Sequence, residues 1–348
     1  MFESVMWKYM KEEKDLLLKT FNTKLEILDM EALYIVAHGS SYNAASAIAP
    51  FLSKWAKIRV YVYTPSAFIN NCISIQYEKK ETTCVMGISQ TGTSRGVLEA
   101  IESIRPEGFK ILSITNEKDS PIEKISDCTY YLQVNEEESN AKTKGYSATL
   151  VVLLAMSIQM AFEKKQISID TLNELMDEIK NQIQDIPDCI ENTIQWCLKN
   201  NYGKNMNNIY VIGNGMNFAT AMEGQLKLME TQCIPTMFSD IIEFSHGMHR
   251  SLNEESFVLL INDGTNEDLM NKTFDYCKTK KYNICMIDTK NHTDDQIINV
   301  KDYKHTHSIL LITSVIQAIS AFVPENNGTD PNRDANNDYT DWMETRVL

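Results

Sequence analysis

Residues 87–94, Gly-Ile-Ser-Gln-Thr-Gly-Thr-Ser, put four hydroxyls, one amide and a flexible glycine into a single short stretch. The chemistry such groups suit is anion binding. Ser89, Thr91, Thr93 and Ser94 can each donate a hydrogen bond to a phosphate-type oxygen, with Gln90 beside them. Placement at the start of a helix helps most, because the first-turn N–H groups lack partners there and the helix dipole adds partial positive charge. Ordinary turn capping uses the same residue types, but needs only one or two of them. A second loop of this kind, His38-Gly39-Ser40-Ser41-Tyr42-Asn43, lies upstream. Gly39 allows a sharp turn and close approach of backbone to ligand, while Ser40 and Ser41 either cap the following helix or reach phosphate oxygens.

The reactive side chains come later. Glu223, Lys227 and Glu230 follow i, i+4, i+7 spacing, which puts them on one helical face. A solvated stripe of intrahelical ion pairs has the same pattern. Leu226, Leu228 and Met229 flank it, however, and a carboxylate buried on a helix beside a strand becomes a better base near neutral pH. Downstream, in Asp240–Arg250, His246 stands next to Gly247 with Glu243 three residues earlier, a setting that suits proton transfer. A structural histidine and a metal ligand are the alternatives. His246 and His249 share i, i+3 spacing, but no third ligand follows, which disfavours a metal.

These residues need a scaffold, and the flanking patterns predict one. Thr82–Met86 reads as a strand and Val97–Ile101 as a helix on either side of the hydroxyl loop; Leu33–Ala37 and Ala44–Ala49 do the same for the upstream loop. Both loops then sit at the carboxyl ends of successive strands of an α/β pattern, where open parallel sheets bind ligands. The arrangement recurs. Leu33–Tyr42 aligns with Ile209–Phe218 at an offset of 176 residues (33 to 209), and Thr83–Ser89 aligns with Ser256–Asn262. The expected fold is α/β, with two tandem parallel-sheet halves related by internal duplication, a helical N-terminus at 1–30 and an irregular C-terminal tail at 324–348. Chance similarity of two α/β halves is the alternative. The first half (31–165) keeps the hydroxyl loops; in the second (205–323) the equivalent loops read Asn214-Gly215-Met216-Asn217 and Asn262-Asp263-Gly264. Leu172, Leu175, Met176, Ile179, Ile183 and Ile186 predict an amphipathic helix in a connector at 166–204, ended by Pro187 and followed by a further helix through Trp196.

Composition narrows the class of function. The chain has 348 residues, 43% of them apolar, and a net charge of −14. That is enough apolar content for one large core or two ordinary ones, and too acidic a balance for a nucleic-acid or anionic-membrane surface. The N-terminal Met1–Asp15 mixes acids and bases with no apolar core, unlike a signal peptide, and no uninterrupted apolar run reaches the roughly 18 residues of a membrane helix. The eight cysteines are scattered without a CxxC pair, which predicts reduced core thiols in a cytoplasmic protein. A P-loop motif is absent, and Gly213-Asn214-Gly215 is an incomplete dinucleotide fingerprint because Phe218 holds the third glycine position.

The ordered set Gly39-Ser40-Ser41, Ser89-Gln90-Thr91-Gly92-Thr93, Thr143-Lys144-Gly145, Glu223–Glu230 and Glu243-Phe244-Ser245-His246-Gly247 resembles the double sugar-isomerase (SIS) domain family over roughly residues 30–325. Its best-known member is the isomerase half of glucosamine-6-phosphate synthase. The resemblance implies two flavodoxin-like SIS domains and a phosphosugar ligand. It also implies roles. Ser40, Ser41, Ser89, Gln90, Thr91 and Thr93, with Ser94 next, would hold the phosphate and nearby hydroxyls, and Ala141 and Lys142 would contact the sugar. Glu230 would be the enolising base, Glu223 and Lys227 its supporting pair, and His246 the ring-opening histidine. In the synthase that histidine comes from the neighbouring subunit, which implies a homodimer with shared sites. Two departures matter: no glutaminase precedes the first SIS half, and no lysine follows Lys304 to form the synthase's Schiff base. The standalone fructosamine-6-phosphate deglycases, which the chain also resembles, need neither. Their substrate, a sugar 6-phosphate joined to an amine, would be opened, isomerised between C1 and C2 and hydrolysed to glucose 6-phosphate and free amine. No metal or organic cofactor is expected, because the substrate's own iminium acts as electron sink. An aldose–ketose isomerase, an amino-sugar-phosphate deaminase and a non-catalytic phosphosugar sensor are the alternatives.

Overall fold

The computed structural model describes residues 4–204 and 206–347; residues 1–3, 205 and 348, which belong to the expected N-terminal helix, second domain and tail, lie outside the described residues. Two five-stranded parallel sheets carry the fold. The first contains β1 (Ala32–Val36), β2 (Arg59–Tyr63), β3 (Thr83–Ile88), β4 (Lys110–Thr115) and β5 (Cys128–Tyr131) in the order β2-β1-β3-β4-β5. The second contains β6 (Asn208–Ile212), β7 (Thr236–Ser239), β8 (Ser256–Asn262), β9 (Asn283–Asp288) and β10 (Ile297–Asn299). Read from the β7 edge its order is β7-β6-β8-β9-β10, the same topology one copy later. Every strand pair is parallel. The central strands β1, β3 and β8 are buried throughout, as strands covered on both faces must be.

Twelve α-helices are present among the described residues. In the first copy α2 (Ser40–Ala56), α3 (Pro65–Asn71), α4 (Arg95–Ile104) and α5 (Pro121–Lys124) connect the strands, preceded by α1 (Val5–Phe21) and followed by α6 (Lys144–Glu163) and α7 (Ile169–Lys199). The second copy has α8 (Met216–Gln232), α9 (Ile241–His246), α10 (Glu267–Thr279) and α11 (Ile309–Asn326), and α12 (Tyr339–Trp342) lies in the tail. The duplication is visible to the residue. Helices α2 and α8 start and stop 176 positions apart (40 to 216, 56 to 232). Both are preceded by a glycine of positive φ, 58° at Gly39 and 53° at Gly215, and both close on a left-handed residue, Lys57 and Cys233. Only glycine adopts the conformation found at Gly39 and Gly215 without strain.

The chain groups into two compact units, and the grouping is not sequential. One holds the second sheet, with the chain up to Lys14, Glu137–Lys144 and Asp177–Arg333. The other holds the first sheet, with Asp15–Glu136, Gly145–Met176 and the chain from Asp334 on.

Three sequence expectations change. The two hydroxyl loops follow β1 and β3, which are neighbours in the sheet but not successive in the chain, because β2 intervenes. Pro187 does not end a helix: α7 runs unbroken past it. Leu175, Ile179, Ile183, Ile186, Ile190 and Ile194 stay buried on both sides of the proline, and that burial outweighs the one backbone bond it removes. Finally, α6 and α11 are long and apolar enough to cross a membrane by length and composition, but 89% of each apolar window is buried, the position of a core helix. All eight cysteines are free thiols. Burial pushes the Cys84 and Cys197 thiols up to about 12, whereas Cys233 is exposed rather than in the core.

Candidate functional site

In the 2-1-3-4-5 order, the strand order reverses between β1 and β3, and ligands of such sheets bind outside that point. Both hydroxyl loops emerge there. Ser40 and Ser41 form the first turn of α2, half-buried, with Gly39 rather than a serine at the cap. The loop after β3 is folded on itself by its own hydroxyls. Ser89, buried, donates from Oγ to Ser94 Oγ at 2.8 Å and accepts the Ser94 N–H at 3.3 Å. Thr91 and Thr93 pair through their hydroxyls at 2.9 Å. Gly92, at φ 70°, turns the chain so tightly against Ser120 that a Cβ would lie 2.4 Å from the serine side chain. The Gln90 side chain lies across the first turn of α6, 2.0 Å from where a Cβ on Gly145 would be. Ser94 occupies the N-cap position of α4 without a side-chain capping bond, so the loop hydroxyls gather around a helix N-terminus, the geometry expected of an anion site.

Glu223, Lys227 and Glu230 lie in the other unit, on α8. Gly224 lets this helix press against β6 and α11: a Cβ there would sit 3.1 Å from Val211 and 3.3 Å from Ile316. Lys227 is thereby buried, its side chain 1% exposed, between two carboxylates. Its Nζ lies 3.2 Å from Glu223 Oε1 and 2.9 Å from Glu230 Oε2. Burial alone would lower the lysine's pKa; Glu223 and Glu230 outweigh it and hold the ammonium above its usual range. The face is therefore no solvated stripe. Glu223 is closed in at 3%, whereas Glu230 is 30% open, so it is the carboxylate of the pair that a ligand can reach.

Ala141 and Lys142 belong to the same unit as α8, and a hydrogen-bonded chain that sequence reading missed connects them to it. Glu137 Oε1 accepts the Thr143 and Lys144 N–H groups, which caps α6, and Lys142 Nζ donates to the Glu137 carbonyl at 2.7 Å. Gln317 of α11 donates to Thr143 O at 3.1 Å. Asn140 N–H donates to Asn332 Oδ1 at 2.7 Å, and the adjacent Arg333 reaches the carbonyls of Thr231 and Gln232, both at 2.8 Å. Those carbonyls end the helix that carries Glu230, where partners are lacking and a cation is favourable. Arg333→Ala is expected to cost about 1.5–3 kcal/mol in chemical denaturation, with Arg333→Lys recovering only part because it lacks the two-pronged fork. An unchanged midpoint would show that the clamp contributes nothing.

His246 ends α9, whose N-cap Asp240 accepts the Ile242 and Glu243 N–H groups. It is exposed and forms no hydrogen bond or ion pair with the described residues, and Glu243 is exposed as well. His249 is tied to the Phe244 carbonyl instead, at 3.0 Å. Among the described residues no cluster of three His, Cys, Asp or Glu side chains could hold a metal ion. The structure thus brings Glu223, Lys227 and Glu230 together, and Ser89, Thr91, Thr93 and Ser94 together; the two sets belong to different units.

Two parallel sheets with hydroxyl loops at one switch point and a carboxylate–lysine cluster on the duplicated helix define a class as well as a fold. The SIS domain model matches residues 26–159 and 204–321, well over half of the chain, and the chain belongs to that family. Among sequence relatives, the isomerizing glutamine–fructose-6-phosphate aminotransferase of Clostridium tetani is 27% identical over 340 residues, covering 93% of this chain and 54% of its own. That of Staphylococcus epidermidis is 30% identical over 241 residues, covering 69% and 37%. The chain spans about half the length, or less, of the curated relatives it matches. Among solved structures, a Clostridium difficile protein provisionally described as a phosphosugar isomerase superposes with TM-score 0.89 at 24% identity, covering 98% of each chain. The C-terminal domain of the Francisella tularensis glucosamine-fructose-6-phosphate aminotransferase gives 0.81 at 19%, covering 94% and 98%. At such identities these structures show the shared fold.

Proposed function

We propose that this chain is a phosphosugar enzyme of the deglycase type, releasing glucose 6-phosphate and a free amine from a fructosamine-type sugar 6-phosphate. The observation that carries the reading is the ion-paired Lys227 beneath a part-open Glu230. A sensor needs hydroxyls for its ligand but has no use for a buried cation that holds a ligand-accessible carboxylate in place.

In this reading the loop hydroxyls of Ser89, Thr91, Thr93 and Ser94 hold the phosphate, assisted by Ser40, Ser41 and Gln90, while Ala141 and Lys142 touch the sugar. His246 assists ring opening. Glu230 takes the proton from C1 as the C2 carbonyl accepts the electron pair and its oxygen gains the proton that the substrate's ammonium gives up, then returns its own proton to C2. The iminium so formed at C1 adds water and expels the amine. Lys227 stays charged throughout and orients the Glu230 carboxylate, and Glu223 keeps Lys227 in place. No cofactor enters the scheme. The choice of a substrate that already carries its nitrogen follows the chain's resemblance to the standalone fructosamine-6-phosphate deglycases. A homodimer in the cytoplasm, with His246 serving the partner's site, completes the reading; the histidine's exposure supports it.

The test is incubation with sugar 6-phosphates and their amino-acid adducts, reading glucose 6-phosphate and free amine together. Stoichiometric release of both from an adduct is the expected result. Turnover of a free ketose or amino-sugar phosphate, with adducts untouched, would replace the deglycase with an isomerase or deaminase.

A further inference from the structure

The C-terminal segment is strapped to the phosphate loop of its own unit. Arg95 N–H donates to Thr345 O at 3.1 Å, and Val347 N–H donates to Thr93 O at 2.9 Å. Ser94 and Arg346 form an antiparallel bridge between those two bonds. The Arg95 guanidinium fastens Glu344, through its carbonyl at 2.7 Å and its carboxylate at 3.3 Å, and Val347 packs on the apolar cluster beneath β1 and β3.

This register has a consequence for Arg346. The hydrogen bonds run from residues flanking the bridge, so Ser94 and Arg346 are a non-hydrogen-bonded pair, the kind whose side chains lie closest. Directly opposed residues share one face, with Cβ atoms about 4.5–5.5 Å apart. Side chains alternate along a strand, so with Val347 turned into the core, Arg346 stands on the opposite face, that of Ser94. Ser94 Oγ is bonded to Ser89 Oγ there. Arg346 is exposed and forms no ion pair among the described residues, whereas its neighbour Arg95 is committed to Glu344. The loop itself contributes hydroxyls and no charge.

We infer that Arg346 is a phosphate-binding residue, reaching from the tail over Ser94 to clamp a phosphomonoester dianion held by the hydroxyl loop. The inference rests on the loop's being the phosphate site. A planar guanidinium matches two phosphate oxygens at once, and it offsets the repulsion that a chain of net charge −14 exerts on an anion. The strap's backbone bonds supply the precision that a free tail would lack.

Calorimetric titration of the full chain with glucose 6-phosphate, inorganic phosphate and unphosphorylated glucose tests this. Arg346→Gln should weaken both phosphate ligands by roughly tenfold to a hundredfold and flatten the salt dependence of binding, with any glucose binding unchanged. Arg346→Lys should fall between. Trp342 fluorescence reports whether the tail keeps its place in each variant. Ser89→Ala with Thr91→Ala serves as the control on the loop. If that control loses phosphate binding while Arg346→Gln binds as the wild type does, the arginine's role is overturned alone. Equal binding by all variants would remove the loop as the phosphate site and the clamp with it.

Discussion

Glu230→Gln should lower turnover by at least about a hundredfold while leaving substrate binding close to wild type. The substitution is nearly isosteric, and the amide oxygen can still accept from Lys227 Nζ, 2.9 Å away in the native protein. What is lost is the capacity to take a proton. Glu223, on the other side of the same ammonium at 3.2 Å, keeps Lys227 paired, so the buried cation is not stranded and the variant should fold. The companion change makes the contrast. Glu223→Gln leaves the part-open Glu230 carboxylate in place and should cost more in stability than in chemistry, because Glu223 is the closed-in member of the pair. Rates and affinities measured on both variants separate the roles. Wild-type turnover in Glu230→Gln would remove that residue from the mechanism.

The features legible in the chain are those written within a single turn or strand. Gly39 and Gly215 are obligatory where φ is positive, and the 176-residue offset can be read because the same strand, glycine turn and helix recur around them. The face shared by Glu223, Lys227 and Glu230 follows from helical spacing alone. Strand β2 carries no such signal: it is an edge strand, exposed to half-buried, without the continuous apolar run of β1 or β3. Pro187 misleads because local propensity is a weaker term than burial of the α7 face. The contacts that position the site are the least legible. Asn140 finds Asn332 across 192 residues, and Arg333 finds Thr231 across 102. Nothing local to Asn332 or Arg333 marks them, since a polar side chain on an irregular segment reads as solvated until its carbonyl partner is known. The tail gives the same lesson: a polar, irregular run in sequence becomes a bridge to Ser94 only because Val347 has a core to enter and Arg95 a carboxylate to hold.

The exposure of His246 leads to the second large effect. If His246 opens the sugar ring, its exposure and its lack of a bond to the described residues fit a task outside its own chain, and an isologous dimer would deliver it to the partner's site. Glu230→Gln and His246→Ala chains, each inactive as homodimers, should then complement when mixed. In a heterodimer one site collects both defects and the other collects neither. Random pairing makes half of the dimers mixed, each with one intact site of two, so activity should return to about a quarter of wild type. Co-refolding of differently tagged chains, followed by tandem purification, confirms that heterodimers have formed before the assay is read. In the purified heterodimer alone the expected recovery rises to about a half, because every dimer then carries one intact site. Confirmed heterodimers that stay inactive would show that His246 acts within its own chain or takes no part in the reaction, and the shared-site dimer would fall with that result.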